Sequence, residues 1–231
     1  MSDRSEIMVI TAHPDDAEFG SAGSVAKWTR DGRRVVYVVC TSGDKGTDDP
    51  DVTPRQLAKI REKEQKAAAA VLGVSEVVFL RYPDQGLEDT PDFRKAIVRQ
   101  IRAFKPEMIV TSDPYRRYIW HRDHRITGQV TLDAVFPFAR DLAAYPDLIE
   151  EGLMPHKVQK ILFFGAEDIN LRIDITETFD LKLAALRCHE SQMAQLNIPD
   201  LEKRLWERCR EMAEGADFEV AEAFHQVTVS L

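Results

Sequence analysis

Short apolar runs recur along the chain, and in the stretches between them apolar positions return every three or four residues. The runs at 7–11, 34–40, 77–80, 108–111 and 158–164 have the length and β-branched content of buried strands. Helical spacing fills the gaps, so the alternation predicts an α/β chain: a Rossmann-like three-layer fold with a mostly parallel sheet covered by helices on both faces. The helix at 54–72 has the sharpest limits. Thr53 reads as its N-cap, Pro54 as N1 and Gln56 as the partner in a capping box, and Gly73 stops it. Near the end, Leu201, Leu205, Cys209 and Met212 mark an amphipathic helix between Pro199 and Gly215, and 219–229 reads as a terminal strand.

Two polar clusters interrupt this pattern at strand ends. Behind the first run lies Ala12-His13-Pro14-Asp15-Asp16-Ala17-Glu18-Phe19-Gly20, in which a histidine and three carboxylates fall within six residues. An open parallel sheet delivers such a loop to the crevice where ligands bind. Pro14 fixes its own φ and restricts His13, which makes the turn rigid. The second cluster, His121-Arg122-Asp123-His124-Arg125, follows the run at 108–111 after a Ser112-Asp113-Pro114 break. His13, Asp16 and His124 would together supply two imidazoles and a carboxylate, the donor set of a catalytic zinc with an open fourth position. Asp15 is then free to act as a base. Read separately, each cluster has an ordinary alternative. The first fits a solvated acidic turn whose Asp caps the next helix. The second fits a histidine pair opening a helix near Asp123, with Ile126, Val130 and Val135 on one face.

Taken together the clusters resemble the LmbE/PIG-L family of zinc-dependent N-deacetylases, marked by an Ala/Pro-His-Pro-Asp-Asp loop after the first strand and a His-x-Asp-His loop after a later one. The likeness continues through Gly23, which begins the first helix in the family manner, and through the polar loop Thr41-Ser42-Gly43-Asp44-Lys45-Gly46. Arg61-Glu62-Lys63-Glu64, Leu72-Gly73-Val74, Tyr82-Pro83-Asp84-Gln85-Gly86, Asp174-Ile175-Thr176 and His189-Glu190-Ser191-Gln192 extend it. About four-fifths of the chain is covered, and two separated motifs in the right order make the match specific.

The resemblance implies His13, Asp16 and His124 as metal ligands and Asp15 as general base. It implies that His121 steadies the oxyanion or protonates the leaving amine, that Asp123 holds the ring of His121 or His124, and that Arg61 and Asp84 meet sugar hydroxyls. The implied reaction removes the acetyl group from an N-acetylated amino sugar or a glycoconjugate carrying one, with Zn2+ or another divalent ion such as Fe2+. A homo-oligomer, hexamer or trimer, is implied as well. Two other readings stand beside it: an amidase of a bulkier sugar–thiol conjugate, and a metal- or sugar-binding protein without catalysis. One departure bears on the choice. Where some relatives place a tyrosine two residues before the first histidine of the second motif, this chain has Ile119, between Tyr118 and Trp120. The aromatic and basic stretch 113–120 suits stacking on a sugar, pairing with an anionic group, or packing on a neighbouring subunit.

Composition narrows the partners. The 231 residues, 44% hydrophobic and without a linker, read as a single domain spanning 1–231. A net charge of −8 with no basic stripe argues against nucleic acid. Cys40, Cys188 and Cys209 are widely spaced and odd in number, which suits reduced thiols and a cytoplasmic setting. Residues 1–6 are polar, the apolar run behind them is too short for a secretory leader, and no stretch approaches a membrane span. The first βα turn lacks a glycine-rich phosphate loop, which argues against a nicotinamide cofactor. Among the other histidines, His189 at a helix end either approaches the site or meets the helix dipole, His225 in the terminal strand reads as structural, and His156 lies in a loop without a visible companion.

Overall fold

In the computed structural model, which describes residues 6–196 and 199–229, the expected runs become β1 (Glu6–Thr11), β2 (Arg34–Thr41), β3 (Glu76–Tyr82), β4 (Met108–Ser112) and β5 (Lys160–Phe164). Two further strands, β6 (Leu171–Asp174) and β7 (Ala221–Thr228), complete one sheet in the order β3-β2-β1-β4-β5-β7-β6. Pairing is parallel from β3 through β5, whereas β7 runs antiparallel to both β5 and β6. The helices are α1 (Asp16–Arg30), α2 (Pro54–Val71), α3 (Pro91–Phe104), α4 (Arg122–Asp133), α5 (Pro146–Glu150), α6 (Phe179–Arg187), α7 (Glu190–Leu196) and α8 (Leu201–Met212). The expected α/β three-layer fold with a mostly parallel sheet is thus the observed one.

Strand alternation sorts the core into two faces. Met8, Ile10, Val36, Val38, Ile109 and Phe163 pack with Ile97, Ile101 and Val130 of α3 and α4. Their immediate neighbours Ile7, Val9, Val35, Tyr37, Val110 and Phe164 pack with Ala22, Val25, Ala68 and Ala185 of α1, α2 and α6. Both sides of each central strand are therefore buried, which explains why these runs are continuously apolar rather than alternating. A smaller cluster under α8 joins Leu205 and Cys209 to Ile175, Phe179 and Val220. Among the described residues no helix is long and apolar enough to cross a membrane. The reading of residues 1–5 as no leader lies outside the described residues.

Local signals located α2 well. The Thr53 side chain accepts from Gln56 N–H, the capping box is closed, and Gly73 turns the chain at φ 73°. Two expectations change, and one strand had none. Val158 lies before β5 rather than in it, although it is buried. The edge strand β6 does not register as an apolar run, because Arg172 and Asp174 alternate with Leu171 and Ile173. Gly23 sits in the middle of α1, which starts at Asp16, and a Cβ there would lie 2.8 Å from Ile175 side-chain atoms. The glycine lets α1 press against the segment after β6. Gly128 does the same for α4, where a Cβ would meet the Ser112 carbonyl oxygen at 2.3 Å. That approach brings the start of α4 against the C-terminal end of β4.

Candidate active site

β1 pairs with β2 on one side and β4 on the other, so the loops leaving β1 and β4 diverge at the switch point of the sheet and open a crevice there. The loop after β1 folds back on itself, with His13 N–H donating to Asp16 Oδ2 at 2.8 Å. Asp15 occupies the N-cap position of α1, yet its carboxylate makes no cap bond, and its backbone is left-handed at φ 93°. Such a conformation in a non-glycine residue costs about 1 kcal/mol or more and persists only where neighbours enforce it. Arg61 and Gln65 of α2 are those neighbours: Gln65 Oε1 accepts from Asp15 N–H at 3.0 Å, and Arg61 Nη2 lies 3.2 Å from Asp15 Oδ2.

Four polar side chains converge beside Asp15. His13 Nδ1 lies 3.2 Å from His124 Nε2, His124 Nε2 lies 2.9 Å from Asp16 Oδ1, and His13 Nδ1 lies 3.5 Å from Asp16 Oδ2. Bonds of roughly 2.0–2.1 Å to a tetrahedral cation would hold such atoms roughly 3.3 Å apart, so this donor set fits a small divalent ion. His121 brings a ring nitrogen within 4.8 Å of donors from His13 and His124. Its Nδ1 accepts from Asp123 N–H at 3.1 Å, which makes His121 the N-cap of α4 and turns Nε2 away from the helix.

The other edge of His13 faces two carboxylates. Its Nε2 is 3.0 Å from Asp84 Oδ1 and 3.3 Å from Asp123 Oδ2. A carboxylate behind a ligating imidazole fixes its tautomer and raises its basicity. Asp123 also accepts from the backbone N–H groups of Gln85 and Leu87, and Asp84 from that of Lys45. The Asp123 carboxylate therefore serves His13 rather than the ring of His121 or His124, because the β3–α3 loop holds it beneath the first cluster. His13, Asp84 and Asp123 form a second group with metal-ligand geometry.

The family model described as PIG-L, GlcNAc-PI de-N-acetylase, matches residues 8–135, and both clusters fall inside that span. The chain belongs to the PIG-L family. A diacetylchitobiose deacetylase of Thermococcus kodakarensis is 36% identical over 206 residues, covering 89% of this chain and 75% of that relative. The solved structure of N,N'-diacetylchitobiose deacetylase from Pyrococcus horikoshii, in complex with an inhibitor, superposes with a TM-score of 0.90 at 30% identity, covering 98% of this chain and 85% of that one. A mycothiol S-conjugate amidase of Streptomyces coelicolor is 31% identical over 169 residues, 64% of this chain and 57% of that relative.

Within this PIG-L-family site the charges are strongly biased. Burial pushes the Asp15 carboxyl up to about 7, even though Arg61 pulls it down. Burial acts on Asp16 in the same sense, but the charge of His124 and hydrogen bonds from His124 and His13 hold Asp16 well below the usual carboxylate range. Two adjacent aspartates thus have opposite tendencies. His13 is drawn down by burial and raised further by hydrogen bonds to Asp123, Asp16 and Asp84, so it ends well above the ordinary histidine value. Burial and the neighbouring His13 and His124 lower His121. Asp84 is held at about 2, burial being outweighed by His13.

Arg61 and Asp84, expected at sugar hydroxyls, are 4% and 5% exposed. The Arg61 guanidinium donates to the Gly43 and Pro14 carbonyls as well as to Asp15, and its close approach leaves no room for a Cβ at Gly43 or Gly46. The stretch 113–120 divides. Trp120 packs edge-on against His124 with Arg116 stacked on its indole, whereas Tyr118 and Ile119 are 90% and 91% exposed. A cavity of about 460 Å³ opens beside Asp16 and His124, bounded by Phe19, Trp120, Phe164 and Leu205.

Three residues around Asp15 escaped notice in the sequence or were left open there. Glu18 counted only as one more acid of the first cluster, and nothing in the sequence singled out Gln65, yet both are fully buried. The spacing of Leu57, Arg61, Gln65 and Ala68 along α2 was the available signal, since it places both polar residues on the buried stripe. His189, also fully buried, reaches Glu18 rather than a helix terminus. Of the remaining histidines, His156 has the Pro106 carbonyl as its companion, and His225 lies 2.6 Å from the Asp168 carbonyl.

Proposed function

We propose that the chain is a metal-dependent hydrolase that removes the acetyl group from an N-acetylated amino sugar of the N-acetylglucosamine type, free or within a glycoconjugate. The observation that carries this reading is the convergence of His13, Asp16 and His124 at cation-holding separations beside a carboxylate, Asp15, that stays outside the donor set. A binding protein has no need of that fourth group. Zinc, or Fe2+ in its place, would lower the pKa of water in the crevice and polarise the amide carbonyl. Asp15 takes the proton of the attacking water, and its tendency toward about 7 suits a base working near neutrality. His121 accepts at Nδ1 from Asp123 N–H, so its neutral form carries its proton on Nε2, where it donates to the oxygen that gains charge. Because the Arg61 Nη groups and both Asp84 oxygens are already engaged by neighbouring protein groups, these residues act through Asp15 and His13, with any contact to sugar hydroxyls secondary. The exposed Tyr118 and Ile119 beside the site support packing between copies of the chain, in a hexamer or trimer, and three free cysteines support a cytoplasmic setting.

The similarity to an S-conjugate amidase and the size of the cavity favour one second reading, cleavage of a bulkier amide in a sugar–thiol conjugate. Acetate release from N-acetylglucosamine and its di- and inositol-linked forms, compared with amine release from a bulky sugar–thiol amide, separates the two. Acetate from the simple sugars is the expected result, and turnover of the bulky amide alone would overturn it.

Cation affinity should fall in acid. His13 holds a proton above the ordinary histidine range, and a cation at Nδ1 must displace it. Affinity therefore rises about tenfold per pH unit until the raised value is passed, then levels off. Chelator competition from about pH 5 to about pH 8 measures this slope, and a flat profile would remove His13 from the donor set.

A further inference from the structure

The first cluster is anchored from below by side chains that play no part in the chemistry just described. Asp15 N–H can only donate, so the Gln65 atom facing it at 3.0 Å must be the amide oxygen. Gln65 then has its NH2 group turned the other way, where it donates to Glu18 Oε1 at 3.0 Å. The second oxygen of Glu18 accepts from His189 Nε2 at 3.1 Å. Gln65, Glu18 and His189 are each 0% exposed, which shields this chain of bonds from bulk solvent. Directionality follows from the chemistry of each group. A carboxylate at position 18 can receive two donors, the amide at 65 has an NH2 group to donate and an oxygen to accept, and flipping that amide would face donor with donor and acceptor with acceptor.

The far end is itself held. Ser191 N–H and Oγ both donate to the Glu64 carboxylate at 2.7 Å, and Gln192 Nε2 donates to the Gly46 carbonyl at 3.0 Å. The 189–192 stretch is thereby pinned to α2 and to the loop that receives Arg61. Glu18 N–H and Phe19 N–H also donate to the Asp15 carbonyl, so Asp15 is gripped at both its backbone groups while its φ is 93°.

We infer that Gln65, Glu18 and His189 are positioning residues that hold the Asp15 backbone in its left-handed conformation and so aim its carboxylate past Arg61 toward the cation face. This inference rests on Asp15 being the base. A left-handed aspartate released from Gln65 relaxes toward an ordinary helical N-cap, which swings the carboxylate away from the crevice, and a displacement of about 1 Å at a reacting group is worth about 100-fold in rate.

The test uses the full-length chain with its cation content measured, well below each variant's unfolding midpoint. In Gln65→Met and His189→Leu, kcat on the N-acetyl sugar that the wild type cleaves falls about 10- to 100-fold while KM stays within about twofold. Cation content stays at the wild-type level. His189→Gln, which keeps a donor for Glu18, recovers most of the rate lost in His189→Leu. Independently of turnover, the Asp15 amide exchanges with solvent at least about tenfold faster in both disabling variants, while amides in the middle of α1 keep their protection. Unchanged kcat in cation-replete variants overturns the inference, as does a rate loss that only tracks lost cation, or an unaltered Asp15 exchange rate. A wild type that releases no acetate sinks the hydrolase reading, and the exchange measurement then still decides whether these residues hold Asp15.

Discussion

Asp15→Asn keeps its cation and loses turnover by about 10²- to 10⁴-fold, the range a positioned base contributes. The substitution is nearly isosteric. Its Oδ can still accept from Arg61 Nη2, and its backbone N–H still donates to Gln65, so the loop that carries His13 and Asp16 has no reason to move. What disappears is a group able to take a proton near neutrality, which the buried Asp15 carboxyl is and an amide is not. Metal analysis of the purified variant, together with its acetate release, checks both halves. Turnover near the wild-type value would show that the proton goes elsewhere, with His121 the nearest alternative at the cation face.

The neighbouring substitution has the opposite signature. Asp16→Ala removes one of the three converging donors, the acceptor of His13 N–H and the charge that faces His124. Two imidazole nitrogens 3.2 Å apart then remain without a carboxylate between them. Cation affinity should drop by more than about 100-fold, beyond the effect of losing a supporting hydrogen bond, and turnover falls with it. Equilibrium dialysis against a zinc buffer measures this directly. Tight binding in a fully active Asp16→Ala protein would remove Asp16 from the donor set and leave His121 as the third ligand, a geometry the histidine cluster permits. The pair of variants thus tests the proposed division of base and ligand between adjacent positions. Their opposite electrostatic tendencies, Asp15 pushed up by burial and Asp16 held down by two imidazoles, support that proposed division.

The fold belongs to an architecture that hosts several chemistries, so the functional reading depends on the site. Among the described residues that site draws on loops after β1, β2, β3 and β4, and on α2 and the start of α7. Only the first and fourth of these loops carry an obvious motif. The rest of the site consists of single residues spread over some 170 positions, each placed by packing.

What was legible in the chain is what depends on near neighbours. Strand runs, the capping box at Thr53, the Gly73 stop and the restricted His13-Pro14 turn all follow from interactions spanning a few residues, and they located β1 to β5, α2 and both polar clusters. Order and spacing of those clusters were enough to name the family and to bring His13, Asp16 and His124 into one hypothesis. The tertiary structure alone decided the pairing. That Asp123 turns its carboxylate to His13, that Arg61 reaches Asp15, and that Gln65, Glu18 and His189 join in a line are facts about side chains 46 to 171 positions apart. The antiparallel β7 between β5 and β6 is of the same kind. Periodicity tells which face of an element is buried, because burial is a property of one helix or strand. It does not tell what that face meets, because a buried hydrogen bond needs a second partner, and its position is set only when the layers close.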